Sequence, residues 1–151
     1  MVLILFMIIA PAQAENEPAI RQMLAQCGLP FEDITPELLR HFFVAQDDGE
    51  VIGCAGLEPR GNAALFRSLA VASNYRGSGL GKRLVAHVEK HAQTLSVQSL
   101  YLLTIGAEGF FTRIGYSIVD RGDAPRSIQE TEEFASLCPS SSTCMVKRLA
   151  V

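Results

Sequence analysis

The segment Leu69-Ala70-Val71-Ala72-Ser73-Asn74-Tyr75-Arg76-Gly77-Ser78-Gly79-Leu80-Gly81-Lys82-Arg83 has the residue types of an anion-binding loop. An apolar, strand-like run turns through three closely spaced glycines into residues that recur at helical spacing. The first amides of a helix have no partner within it and carry partial positive charge, so they suit a phosphate. Glycine lets an anion reach those amides because no Cβ intervenes. Arg76 and Lys82 add formal charge. The expected ligand of Arg76, Gly77, Ser78, Gly79, Leu80, Gly81 and Lys82 is therefore a phosphate or pyrophosphate, although similar turns also occur where a helix only packs closely on a strand. A nucleotide P-loop is excluded, because Gly81-Lys82 is followed by Arg83 rather than Ser or Thr. The dinucleotide fingerprint fails too, since Gly77-Ser78-Gly79 is followed three positions later by Lys82.

Other reactive side chains form weaker patterns. Cys27, Cys54, Cys138 and Cys144 contain no Cys-x-x-Cys pair and no histidine at zinc-finger spacing, so no metal site is expected. They read as small buried hydrophobes, with Cys138 and Cys144 close enough in sequence to be bridged or to share a thiophilic ligand. His87 and His91 lie one helical turn apart, and with His41 they suit surface or packing roles better than catalysis.

The elements that must position these groups can be read from periodicity. The apolar run Met1 to Ala10, ending at Pro11, reads as a buried strand. Glu15 to Cys27 has helical spacing, with Gly28 just past its end. Thr35-Pro36-Glu37 opens a short helix to Arg40 as N-cap, first-turn proline and early acid. His41 to Gln46 and Glu50 to Leu57 form a hairpin about Asp47-Asp48-Gly49. Pro59 to Asn62 is a turn and Ala64 to Ala72 the next strand, on which alternation would place Leu65, Arg67 and Leu69 on one face and Phe66, Ser68 and Ala70 on the other. Gly79 to Thr94 is a helix carrying Leu80, Leu84, Val85, Val88 and Ala92 on one stripe. Ser99 to Thr104 is a strand, Glu108 to Ile114 a helix stopped by Gly115, Tyr116 to Asp120 a strand, Pro125 to about Leu137 a helix, and Thr143 to Leu149 the last strand. Hairpins mixed with crossovers predict a mixed α/β sheet rather than a purely parallel one.

At 151 residues the chain is expected to form one domain, residues 1–151. With 48% hydrophobic and 19% charged residues it is neither disordered nor fibrous in composition. A net charge of -3 gives no general attraction for nucleic acid or an anionic membrane, so neither is expected as a partner. The first residues, with Ala12-Gln13-Ala14, imitate a secretory leader. They lack its positive region, since no Lys or Arg precedes Arg21, and the run is too short to span a bilayer. The strand reading places the protein in the cytoplasm; the leader reading would make it a secreted structural or interaction protein.

The sequence resembles the GNAT acetyltransferases, whose Gln/Arg-x-x-Gly-x-Gly/Ala motif stands here as Arg76-x-x-Gly79-x-Gly81 after the strand ending Leu69-Ala70-Val71. A second landmark, Phe111-Thr112-Arg113-Ile114-Gly115-Tyr116, begins thirty residues after Gly81. The resemblance runs along nearly the whole chain and argues against removal of the leading strand. It implies a mostly antiparallel sheet with splayed central parallel strands, flanked by helices, and acetyl-CoA as cosubstrate without a metal. Its implied cofactor contacts are the backbone of Leu69, Ala70 and Val71 for the pantetheine arm, the loop from Arg76 to Lys82 for the pyrophosphate, and Phe110 and Phe111. Leu65-Phe66-Arg67-Ser68 and the end Phe134 to Ser141 also look like a branch of the family associated with arsenic resistance, which implies a small amine acceptor, amino-acid-like or organoarsenical.

In this family a neutral amine attacks the thioester directly, so positioning, proton removal and oxyanion stabilisation carry the rate. The tyrosine that many relatives use to protonate the leaving thiolate is replaced by Phe111, and the glutamate that some use as base is missing before Arg67. Glu58 and Arg67 are the catalytic candidates, Glu58 to draw off the amine proton through water and Arg67 to read an anionic group on the acceptor; a surface ion pair is the competing reading of both. Arg67, Ser68, Thr104, Ser136 and Cys138 are the acceptor-site candidates, while Tyr101 suits packing. Expected partners are the small-molecule amine and, as an option, a second copy in a homodimer. The missing tyrosine leaves a non-catalytic acyl-CoA sensor as the alternative function.

Overall fold

A computed structural model describes residues 7–150. The part of the expected first strand before Met7 lies outside the described residues. In chain order the strands are β1 Met7–Pro11, β2 Phe42–Asp47, β3 Glu50–Arg60, β4 Ala63–Val71, β5 Ser99–Thr104, β6 Ser117–Val119 and β7 Thr143–Arg148. The α-helices are α1 Glu17–Gln26, α2 Pro36–Leu39, α3 Leu80–Thr94, α4 Glu108–Arg113 and α5 Arg126–Gln129. The seven strands form one sheet in the order β1-β2-β3-β4-β5-β7-β6. β1/β2, β2/β3, β5/β7 and β6/β7 are antiparallel, and β4/β5 is parallel. This is the mixed α/β sheet that the periodicity predicts, in the mostly antiparallel, helix-flanked form that the family resemblance implies. The parallel pairing joins Ala63–Leu65 to Ser99–Tyr101 and stops there, although both strands continue.

Contacts group the chain into two compact units, the first running up to Leu57 and including Ser68–Lys90, the second comprising Glu58–Arg67 and the residues from His91 onward. In the first, Ile20, Met23 and Leu24 of α1 and Leu39 of α2 bury against Phe42, Val44, Cys54 and Ala70 of β2, β3 and β4. The helix ends follow local chemistry. The Leu38 amide donates to Thr35 Oγ1 at 3.1 Å, and Pro36 stands where a missing N–H costs nothing. Gly28 ends α1 at φ +70°. In the second unit, Ala63 and Leu65 pack with Ala124, Ile128, Phe134 and Cys144.

The structure departs from the sequence reading in several places. The described part of the first strand, read as buried, is an edge strand with Ile8 63% exposed. β3 runs through Pro59 to Arg60, so the turn shrinks to Gly61 and Asn62. The helix expected over Pro125–Leu137 breaks after Gln129 and resumes as a π-type turn at Glu133–Leu137. Between them the buried Thr131 hydroxyl donates to the Ile128 carbonyl at 2.7 Å, a side-chain bond that competes with a continuous backbone ladder. Finally, Ser68 adopts φ +64° inside β4, so strict alternation along that strand fails at this residue.

Candidate active site

The loop between β4 and α3 is held open from its own backbone. Gly77 and Gly79 take φ +82° and +86°, and no atom lies within 4 Å of a Cβ built on either. A side chain there would fill free space at the loop, where the sequence expects a phosphate. Leu80 is buried and fixes the start of α3, while Lys82 and Arg83 are exposed and Gly81 is half-buried. Gly53 of β3 lets α3 sit close: a Cβ on it would lie 3.0 Å from Leu84 Cδ1 and 3.3 Å from both Leu80 Cδ2 and the Ala70 carbonyl. Arg76 Nε donates to the Val71 carbonyl at 3.1 Å, and another of its nitrogens lies 3.7 Å from Cys27 Sγ. Part of its hydrogen-bonding capacity therefore closes the loop. The Ser78 hydroxyl also turns inward, to the Tyr75 carbonyl.

Along β4, Leu69 and Val71 are half-buried and Ala70 buried. Ser68 is buried in its left-handed conformation, and its carbonyl accepts the Cys54 thiol at 3.4 Å. Such a conformation costs a non-glycine residue about 1–3 kcal/mol and persists only where its surroundings impose it.

The polar candidates of the second unit form a chain of opposite charges. Arg67, 3% exposed, places one nitrogen 3.1 Å from Glu58 Oε1 and the other 3.2 Å from Glu133 Oε2. The remaining Glu58 oxygen accepts from Arg60 at 2.8 Å, and Arg60 also donates to the Ser127 carbonyl at 3.2 Å. Glu133, 4% exposed, has its other oxygen 3.7 Å from the Cys138 thiol. Burial, then the Glu133 carboxylate, pushes that thiol up to about 12. Glu58 and Arg67 are thus brought together, and Arg67 is buried rather than at the surface.

The other candidates separate. Ser136 is exposed and donates to the Glu132 carbonyl at 3.3 Å. Thr104 is half-buried at the end of β5, opposite Thr143, whose hydroxyl donates to Glu108 at 2.7 Å and holds that carboxyl below its usual range. Phe111 is buried among edge-on rings, 5.9 Å from Phe66, 5.0 Å from Phe110 and 5.5 Å from Tyr116 between centroids. That makes it a core residue, with Phe110 the half-buried member of the pair. His87 Nδ1 lies 3.0 Å from the Arg83 carbonyl, and burial lowers the His91 pKa. Among the described residues no group of three or more His, Cys, Asp or Glu could hold a metal, and the four cysteines are unbridged. Sequence reasoning missed Glu133, Arg60 and the left-handed Ser68: an acid within an amphipathic run reads as a solvated face, and a serine carries no signal for positive φ.

The model of the acetyltransferase (GNAT) domain family matches residues 39–118. An uncharacterized N-acetyltransferase of Chlorobaculum tepidum is 35% identical over 118 residues, 75% of this chain and 74% of that protein. An amino-acid acetyltransferase of Ralstonia nicotianae is 33% identical over 89 residues, 58% of this chain but only 20% of its own length, so the chain spans about a fifth of that enzyme. Among solved structures, N-acetylglutamate synthase of Neisseria gonorrhoeae, complexed with coenzyme A and N-acetyl-glutamate, superposes with a TM-score of 0.82 over 97% of this chain and 36% of its own, at 22% identity. Rv2747 of Mycobacterium tuberculosis, in complex with CoA and NLQ, gives 0.80 over 95% of this chain and 99% of its own, also at 22% identity. The structural matches speak for the fold; the sequence matches go further. With the family model over more than half of its length and a relative 35% identical over three quarters of it, the chain belongs to the GNAT acetyltransferases, enzymes that transfer the acetyl group of acetyl-CoA to an amine.

Proposed function

We propose that the chain acetylates the amino group of a small, amino-acid-like acceptor. The observation that carries the reading is the Arg60-Glu58-Arg67-Glu133 chain, which begins on β3 and β4 and holds a carboxylate between two guanidinium groups. The likeness to amino-acid acetyltransferases supports the acceptor class. Acetyl-CoA supplies the activated acyl group when bound. The open glycine backbone of the loop from Arg76 to Lys82 fits its pyrophosphate, and Leu69, Ala70 and Val71 would hold the pantetheine arm. The Val71 carbonyl already accepts from Arg76, which leaves the arm the other backbone groups of this stretch.

Glu58 is the base, drawing the amine proton through water, and its two arginines fix the direction of its oxygens. Arg67 keeps that carboxylate in place. As it already carries two carboxylates, an acceptor anion reaches it only by taking the place of one of them; Arg60, whose side chain is 34% exposed, is the accessible arginine of the same chain. Ser68, Thr104, Ser136 and Cys138 remain the proposed acceptor-side residues, with the Cys138 thiol the one feature that favours the arsenic-resistance branch and an organoarsenical amine. A cytoplasmic enzyme fits this chemistry, and among the described residues no helix is long and apolar enough to cross a membrane.

The test is release of free CoA thiol from acetyl-CoA against a panel of amino acids, simple amines and an organoarsenical amine. Turnover with an amino acid is expected. Acetyl-CoA binding without turnover on any amine would replace this reading with the sensor.

A further inference from the structure

A Cβ on either glycine that opens the anion loop would meet nothing within 4 Å, so no packing holds the loop on that side and its shape depends on its hydrogen bonds. Several ties are internal: Tyr75 N to Ala72 O at 2.9 Å, Arg83 N to Gly79 O at 3.1 Å, and the Ser78 hydroxyl to the Tyr75 carbonyl. Another reaches a distant element. The Tyr75 hydroxyl donates to Asp47 Oδ2, twenty-eight residues away in sequence, at the end of β2. Asp47 is only 9% exposed and stands in register with both Met7 of β1 and Glu50 of β3, so its position is set by the sheet. Tyr75 immediately precedes Arg76 and sits in the 3-10 turn Ser73–Tyr75 that feeds the loop. A carboxylate at this place has a cost. Its negative charge works against a pyrophosphate on the neighbouring loop. Asp47 is therefore accounted for by what it holds.

We propose that Asp47 and Tyr75 form a latch between the β2-β3 hairpin and the cofactor loop, and that both are positioning residues for the pyrophosphate of acetyl-CoA, acting through the loop backbone. The inference rests on the reading that this loop binds the pyrophosphate. The phenol ties the residue before Arg76 to the sheet, and the same residue's carbonyl receives Ser78, so one anchor restrains both sides of Gly77. Preorganised donors bind an anion without first being ordered, and releasing the anchor returns that ordering cost to the binding step.

The experiment uses the full chain and the variants Tyr75→Phe, Asp47→Asn and their combination, with calorimetric Kd values for acetyl-CoA and for S-acetylpantetheine, which has no pyrophosphate. Each single variant should raise the acetyl-CoA Kd about tenfold, the double should be no worse than either single because they remove one shared contact, and S-acetylpantetheine should move less than twofold. Equal weakening of both ligands would make the contact a prop of the fold and overturn the proposal, as would a Tyr75→Phe protein that fails to fold after losing one oxygen. Tighter acetyl-CoA binding by Asp47→Asn with no effect of Tyr75→Phe would also overturn it, leaving Asp47 as an unhelpful like charge. Failure of the underlying reading shows separately, as an unchanged acetyl-CoA Kd in Gly79→Val.

Discussion

Arg67 shows how much the value of one side chain depends on its neighbours. A guanidinium with almost no exposure must be paired, and here two carboxylates share it. Removing Glu133 would leave an under-compensated buried cation, so Glu133→Ala should cost about 3 kcal/mol, seen as a lower urea midpoint; an unchanged midpoint would mean the pair is dispensable. Glu58 is different, because its side chain keeps 13% exposure and faces two arginines. Glu58→Gln preserves shape and removes basicity, so kcat should fall by about a hundredfold and the rising limb of its pH profile should move, without a matching change in the acetyl-CoA KM. A pH profile left in place would return Glu58 to the role of an ion-pair partner. The thiols carry a prediction of opposite kind. Burial pushes Cys54 and Cys138 up to about 12 and Cys144 up to about 11, against the ordinary 9.0. With folded values above unfolded ones, their contribution to stability is whole below pH 9.0 and is lost as pH rises towards 11 and 12. Urea midpoints should therefore decline above that point, and Cys144→Ala should flatten the decline.

Two glycines separate binding from packing at the scale of elements. Gly79 has open space where a Cβ would stand but a φ of +86°, whereas Gly53 lies against Leu80, Leu84 and the Ala70 carbonyl. Gly79→Val should raise the acetyl-CoA Kd at least tenfold, by covering the amides and straining the loop. Gly53→Val should instead lower the melting temperature, since its methyl groups must displace the first turns of α3, at about 1–3 kcal/mol. If the two variants exchange these effects, the loop is a packing turn. The elements themselves were largely legible. Thr35-Pro36, Asp48-Gly49 and Gly28 carry their conformations in their side chains or lack of them, and the stripe from Leu80 to Ala92 places α3 to within a residue. What failed to show was tertiary. The Thr131 hydroxyl bonds the Ile128 carbonyl where the helix breaks, and Ser68 takes a left-handed φ within β4 that no local pattern encodes. The cofactor loop could be read because its chemistry is local, while the charge chain of Glu58, Arg67 and Glu133 joins residues up to seventy-five positions apart.

The leading strand ties the edge of the sheet to function. Met7 to Pro11 pair in antiparallel register with Asp47 to Phe43, and Ala12 N donates to the Phe42 carbonyl at 2.9 Å. β1 therefore covers the outer edge of β2, the strand that ends in Asp47. Without it, β2 would present unpaired amides and carbonyls, the usual template for association between chains. Deleting residues 1–11 should thus act in three ways. Losing the pairing should cost about 3 kcal/mol, which for a chain of this size lowers the melting temperature by roughly 6–12 °C. The freed edge should raise the tendency to aggregate, read by light scattering near the melt. Loosening of β2 should also relax Asp47 and weaken acetyl-CoA binding, although no deleted residue belongs to the cofactor loop. A truncated protein that melts, scatters and binds as the full chain does would show that the pairing of Met7–Pro11 with β2 contributes nothing.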